Sequence, residues 1–174
     1  MNYQNIACLG DSQTSGARSY GCYPLHLAQI LNAKTRYRWR VLNFSTNGDR
    51  ARELWFRLAR ELPSLDDVHQ ACVLIGANDV GNHSPVELFE EYYKQVLDAL
   101  TIAGIRVVHC GEIPPIGADG HSFFARDTAA LRDDYNAALE RAVKECSIAR
   151  LVRFSDLDAK EHFCDPVHFN EEGN

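Results

Sequence analysis

Four short groups of residues in this 174-residue chain carry side chains that can do chemistry together: Gly10-Asp11-Ser12-Gln13, Asn47-Gly48-Asp49, Gly76-Ala77-Asn78-Asp79 and Asp165-Pro166-Val167-His168. They supply a hydroxyl, an imidazole, carboxylates, a carboxamide and a glycine peptide. That set suits acyl transfer. A serine hydroxyl is a weak nucleophile and needs a base to take its proton. An imidazole, with an ordinary pKa of ~6.5, takes protons at neutral pH. A carboxylate then has to fix the imidazole tautomer and stabilise the imidazolium. Asp165 and His168 are three residues apart, so they can meet across one turn of chain. Asp165 then accepts from Nδ1 and leaves Nε2 for Ser12. The tetrahedral intermediate also needs donors aimed at its oxyanion. Ser12 N–H, Gly48 N–H and the Asn78 carboxamide are the candidates. Gly48 suits the task because no Cβ keeps a ligand from the backbone.

The elements that must position these groups are legible as alternating patterns. Apolar runs at Ile6–Leu9, Val41–Phe44, Ala71–Ile75, Ile105–Cys110 and Leu151–Phe154 predict strands covered on both faces. Helical patterns span Tyr23–Ala33, Arg50–Leu62 (stopped by Pro63), Pro85–Ala103 and Thr128–Cys146. The third places Phe89, Tyr93, Val96, Leu100 and Ala103 on one face. Ser84 ahead of Pro85 and Glu87 reads as an N-cap with a capping box, and Gly104 as the C-terminal stop. The order βαβαβαβαβ calls for a parallel sheet, right-handed crossovers and helices on both faces, a three-layer α/β/α sandwich in one domain over 1–174. Ligands of such sheets bind at the carboxyl ends of strands. Each of the four groups falls just beyond a strand. So does the one long unpatterned stretch, Glu112–Asp127, whose Ile113, Ile116, Phe123 and Phe124 are expected as acyl-pocket walls.

With these residues placed, the sequence resembles an SGNH hydrolase, of the GDSL-type esterase and lipase superfamily. Gly10-Asp11-Ser12 matches the first block of that superfamily, Gly48 the second, Gly76-x-Asn78-Asp79 the third and Asp165-x-x-His168 the last. Each motif alone is weak, but four in order, spread over nearly the whole chain, are specific. The resemblance implies Ser12 as nucleophile, His168 as base, Asp165 as its partner, and Gly48 and Asn78 in the oxyanion hole with Ser12. It also implies a flavodoxin-like five-stranded parallel sheet in the order 2-1-3-4-5. The expected activity is hydrolysis of a small carboxylic ester, with a short acyl group, through an acyl-enzyme on Ser12. Acyl-thioesters and lysophospholipids are the alternative substrates. Gln13 stands where the motif name has leucine, and it is expected at the pocket edge with Asp79. Members of the superfamily usually continue into a further terminal helix beyond the point matched by Asn174. Without that cover, one sheet face is expected to be partly exposed.

Composition narrows the alternatives. Lys and Arg number 18 against 24 Asp and Glu, a net charge of −6, which argues against broad nucleic-acid binding. Arg36, Arg38 and Arg40, alternating with Tyr37 and Trp39, read as a solvated run leading into a strand. Of the six cysteines, Cys8, Cys72 and Cys110 sit in or beside strand-like runs as small buried hydrophobes, while Cys22, Cys146 and Cys164 are scattered. A reduced, cytoplasmic protein is expected. There is no basic-then-apolar leader pattern at Met1–Cys8 and no apolar run of the ~18 residues a membrane span needs. His162-x-Cys164-x-x-x-His168 has ligand-like spacing, but nothing completes a zinc set, so no metal and no cofactor are expected. A flavodoxin-like nucleotide- or flavin-binding module is the reading from a different class. It is disfavoured because the phosphate fingerprint G-x-G-x-x-G is missing after the first strand.

Overall fold

The computed structural model describes residues 3–65, 67–115 and 128–174. The chain starts in the middle of its sheet with β1 (Tyr3–Gly10), turns through the four-residue helix α1 (Ser12–Ser15), and crosses by α2 (Tyr23–Lys34) to the edge strand β2 (Arg38–Ser45). Helix α3 (Ala51–Glu61) and a 3-10 turn (Leu62–Leu65) lead back past β1 to β3 (Val68–Leu74). A second short helix, α4 (Ala77–Gly81), precedes α5 (Val86–Ile102), β4 (Val107–Gly111), α6 (Thr128–Glu145) and β5 (Ala149–Val152). All neighbouring strands are parallel, in the order β2-β1-β3-β4-β5.

That order decides the layers. A right-handed crossover toward one edge lays its helix on one face, and a crossover toward the other edge lays it on the opposite face. The chain reverses direction once, after β2. Helices α3, α5 and α6 therefore share a face, packed on each other and on Ala7, Leu9, Ala71, Val73 and Val108. Helix α2 lies on the other face against β2. The reversal leaves β1 and β3 as neighbours whose connections diverge, which opens a crevice at their carboxyl ends. Ser12 and Asn78 follow these two strands directly.

The face under α2 is the less complete one. Between α2, the sheet and the closing segment after β5 runs an apolar groove of about 650 Å³, floored by Ile6, Cys72 and Leu74 and walled by Leu27, Phe154 and Phe169. Among the described residues no helix is long and apolar enough to cross a membrane.

Several element boundaries differ from expectation for local reasons. Helix α5 starts one residue late, so Pro85 is its N-cap and offers no side-chain cap. The Ser84 carbonyl instead accepts the Tyr135 hydroxyl, and the expected capping box is not formed. The other end behaves as read. Gly104 turns left-handed (φ +83), and Ile105 N–H and Gly104 N–H close onto Leu100 O and Thr101 O at 3.1 Å each. That closure takes Ile105 out of β4, which therefore begins at Val107. The edge strand β2 reaches back to Arg38, with Arg38 and Arg40 exposed, so it is not covered on both faces.

Candidate active site

Ser12 opens α1, and its position follows from the turn that makes the helix. Asp11 is the N-cap; its Oδ1 accepts from Gln13 N–H at 2.9 Å. Gly10 Cα lies so close to the Thr14 side chain and the Leu74 carbonyl that a Cβ there would sit 2.1–2.2 Å from them, so only glycine permits the turn. The Ser12 N–H precedes the first hydrogen bond of its helix and is not needed by it. Ser12 Oγ lies 3.1 Å from His168 Nε2, and His168 Nδ1 lies 2.8 Å from Asp165 Oδ2 and 3.0 Å from Oδ1. Asp165 Oδ1 also accepts from the backbone N–H groups of Val167 and His168 at 2.8 Å each. Burial pushes the Asp165 carboxyl up, but those N–H groups and the imidazole outweigh it and hold the group below its ordinary value. Arg18 Nη1 adds an ion pair to Oδ2 at 3.2 Å from a side chain that is 66% exposed.

The other two groups arrive from β2 and β3. Gly48 is left-handed at φ +83, and nothing lies within 4 Å of where a Cβ would stand, so the peptide is open on that side. Asn78 Nδ2 donates to Asp49 O at 2.9 Å and, more loosely, to Asp11 Oδ2 at 3.3 Å. One carboxamide thus ties the residue before Ser12 to the residue after Gly48. The proton on the longer contact is the one an oxyanion can compete for. Burial raises the Asp11 carboxyl to about 7, and the Asp79 and Asp49 carboxylates push the same way.

Sequence reasoning did not find Arg57, a residue 7% exposed at the centre of this arrangement. Its Nε donates to Asp49 Oδ2 at 2.5 Å, Nη1 to Glu61 Oε2 at 2.6 Å and Nη2 to Gly10 O at 3.0 Å. The available signal was positional. Arg57 sits between Leu54 and Leu58 on the stripe of α3 that faces the core, and a guanidinium there must be paired.

Three further expectations, at Gln13, Asp79 and Ile113, resolve differently. Gln13 is not at a pocket edge; it is 2% exposed and its Nε2 donates to the Val167 carbonyl at 2.8 Å. Asp79 is buried and accepts Ala51 N–H at 3.0 Å, capping α3 rather than facing a ligand. Burial raises its carboxyl to about 7. Ile113 is core, packed with the helices of the larger cluster. Phe123, Phe124 and Ile116 lie outside the described residues. His162 Nδ1 accepts Asp158 N–H at 2.8 Å, while His168 is engaged with Ser12 and Asp165. Among the described residues no three His, Cys, Asp or Glu side chains converge as a metal site.

A parallel five-stranded sheet with a serine, histidine and aspartate in line at its switch point defines a class, the SGNH-type esterases and acylhydrolases. The family model of the GDSL-like lipase/acylhydrolase family matches residues 8–174, and the chain belongs to that family. Solved structures share the fold at low identity. An acetyl xylan esterase, AlAXEase, superposes with a TM-score of 0.80 at 19% identity over 97% of this chain and 93% of its own. Axe2, an acetylxylan esterase from Geobacillus stearothermophilus in a catalytic-mutant form, gives 0.77 at 15% over 97% and 88%. The psychrotrophic esterase EstA from Pseudoalteromonas sp., inhibited by monoethylphosphonate, gives 0.73 at 18% over 98% and 90%. No curated protein matches the chain in sequence.

Proposed function

We propose that the protein hydrolyses small carboxylic esters with short acyl groups through an acyl-enzyme on Ser12. One observation carries the reading: the line from Asp165 to His168 to Ser12, with contacts of 2.8 and 3.1 Å. His168 Nε2 takes the hydroxyl proton as Oγ attacks the ester carbonyl. Asp165 stays ionised and stabilises the imidazolium. The Ser12 and Gly48 peptides and the second Asn78 proton receive the oxyanion. The C–O bond to the alcohol then breaks, and His168 returns its proton to the leaving oxygen. Water repeats the sequence on the acyl-enzyme and releases the acid.

The short-acyl preference is supported by chain economy. Up to Asn174 the sequence leaves two long connections at this edge, 112–127 and 153–174. The second is occupied by the Asp165–His168 turn and the bridge between Phe163 and Phe169, so little chain is left to wall a deep tunnel. The acetyl esters named for two structural neighbours point the same way. A cytoplasmic setting is supported by six unpaired thiols. The test is a series of nitrophenyl esters with Ser12→Ala as the blank. kcat/KM is expected to peak from acetyl to butyryl. Each buried methylene is worth about 0.8 kcal/mol, so a rise continuing to decanoyl would instead indicate a lysophospholipase or acyl-thioesterase.

A further inference from the structure

We propose that Gln13 is a positioning residue that aims His168 at Ser12, an inference that rests on the reading above. The bond between Val167 and His168 presents a carbonyl on one side and an N–H on the other. The carbonyl accepts Gln13 Nε2 at 2.8 Å, and the N–H donates to Asp165 Oδ1 at 2.8 Å. A peptide plane gripped at both ends cannot rotate, and its orientation sets the direction in which the His168 side chain leaves the backbone. The Val167 side chain is packed into the core, which closes off a third freedom.

The grip also links the two halves of the site directly. Gln13 is the covalent neighbour of Ser12, and its own N–H is held by Asp11 Oδ1 at 2.9 Å. A short ring therefore runs from Ser12 through the Gln13 side chain to Val167 O, on to His168, and back across the 3.1 Å contact to Ser12 Oγ. At 2% exposure the carboxamide has no water to turn to, and an aliphatic side chain in its place leaves the Val167 carbonyl buried without a donor.

The experiment compares Gln13→Met and Gln13→Leu with the parent protein, each alone and combined with His168→Ala. Methionine keeps the length of the side chain and removes the donor. The expected result for Gln13→Met is a fall in kcat of about tenfold with KM little changed, because misaimed proton transfer costs rate rather than binding. In the His168→Ala background the same change is expected to cost nothing more, since residues that act as one unit are not additive. Full kcat in Gln13→Met, or an equal loss with and without His168, overturns the proposal. A measurement on the parent protein guards against variants that do not fold. The Gln13 side-chain amide protons and the His168 backbone amide are expected to exchange slowly with solvent, and rapid exchange of both overturns the clamp. Full activity in His168→Ala alone would overturn the serine-hydrolase reading instead and would leave the exchange result standing.

Discussion

Gly10, Asp11, Gly48, Asp49 and Asn78 are tied together from inside the core, whereas Asp165 to His168 hang on a segment held by a few specific contacts. On the first side a single buried guanidinium reaches Gly10 O and the Asp49 carboxylate, and Asn78 closes the figure from β3. Those anchors sit on strand ends and on α3, which the large hydrophobic cluster holds rigid. On the second side, residues after β5 form only an isolated bridge between Phe163 and Phe169 and turns around it. There the His168 ring is bonded by Asp165, Asp165 is paired with the exposed Arg18, and the Val167 carbonyl is held by Gln13. The residues proposed as oxyanion donors are held by buried hydrogen bonds anchored on strand ends and α3, while the proposed proton-transfer pair is held by hydrogen bonds within a segment without strand or helix, packed through Phe163, Val167 and Phe169.

Ser12→Ala tests both sides at once and should abolish turnover, a loss of about 10⁶-fold, together with covalent labelling by a fluorophosphonate. Labelling of that variant at the parent rate would remove Ser12 from the mechanism. Asp165→Asn strikes the hydrogen-bonded side alone. It should leave the folding temperature nearly unchanged and cost up to about 10⁴-fold in kcat through the wrong imidazole tautomer. Asn78→Ala strikes the packed side and should lower kcat by about 10²–10³ with a smaller change in KM. A raised KM at constant kcat would place Asn78 in ground-state binding.

The two arginines divide the same way in stability. Arg57→Met strands the Asp49 carboxylate in the core and should cost about 3–5 kcal/mol in a denaturant titration. Arg18→Ala removes an exposed pair and should cost about 0–1 kcal/mol, within error of the parent. Equal losses would erase the contrast between the two regions.

The last contrast is a pH dependence. Burial raises the Asp79 carboxyl to about 7 in the folded chain, well above its unfolded value. The folded state therefore binds that proton more tightly. Its destabilising charge is absent near pH 4, grows as pH rises, and is fully present above about 7. Asp79→Asn keeps an oxygen for Ala51 N–H and removes the charge. Melting of the two proteins at pH 4.5 and 7.5 should favour the variant at the higher pH only. A gap that is the same at both values would show that Asp79 does not titrate in this range.

The order of strands and helices, and the placement of Ser12, Gly48, Asn78, Asp165 and His168 beyond strand ends, could be read along the chain. Periodicity and the residue types that chemistry requires are local properties. Boundaries were legible only where one neighbour decides them, as at Gly104, and not where a distant partner does, as at Ser84. Two short helices, α1 and α4, escaped because four or five residues carry no period. The tertiary structure alone decided what Gln13, Asp79 and Arg57 do. Polar side chains look alike in sequence whether they face water, a ligand or a buried carbonyl. Which of these they meet depends on chain brought from far away: 154 positions for Gln13 and Val167, 47 for Arg57 and Gly10. A buried polar atom must find its partner there or stay unsatisfied, and only the packed sheet brings that partner within reach.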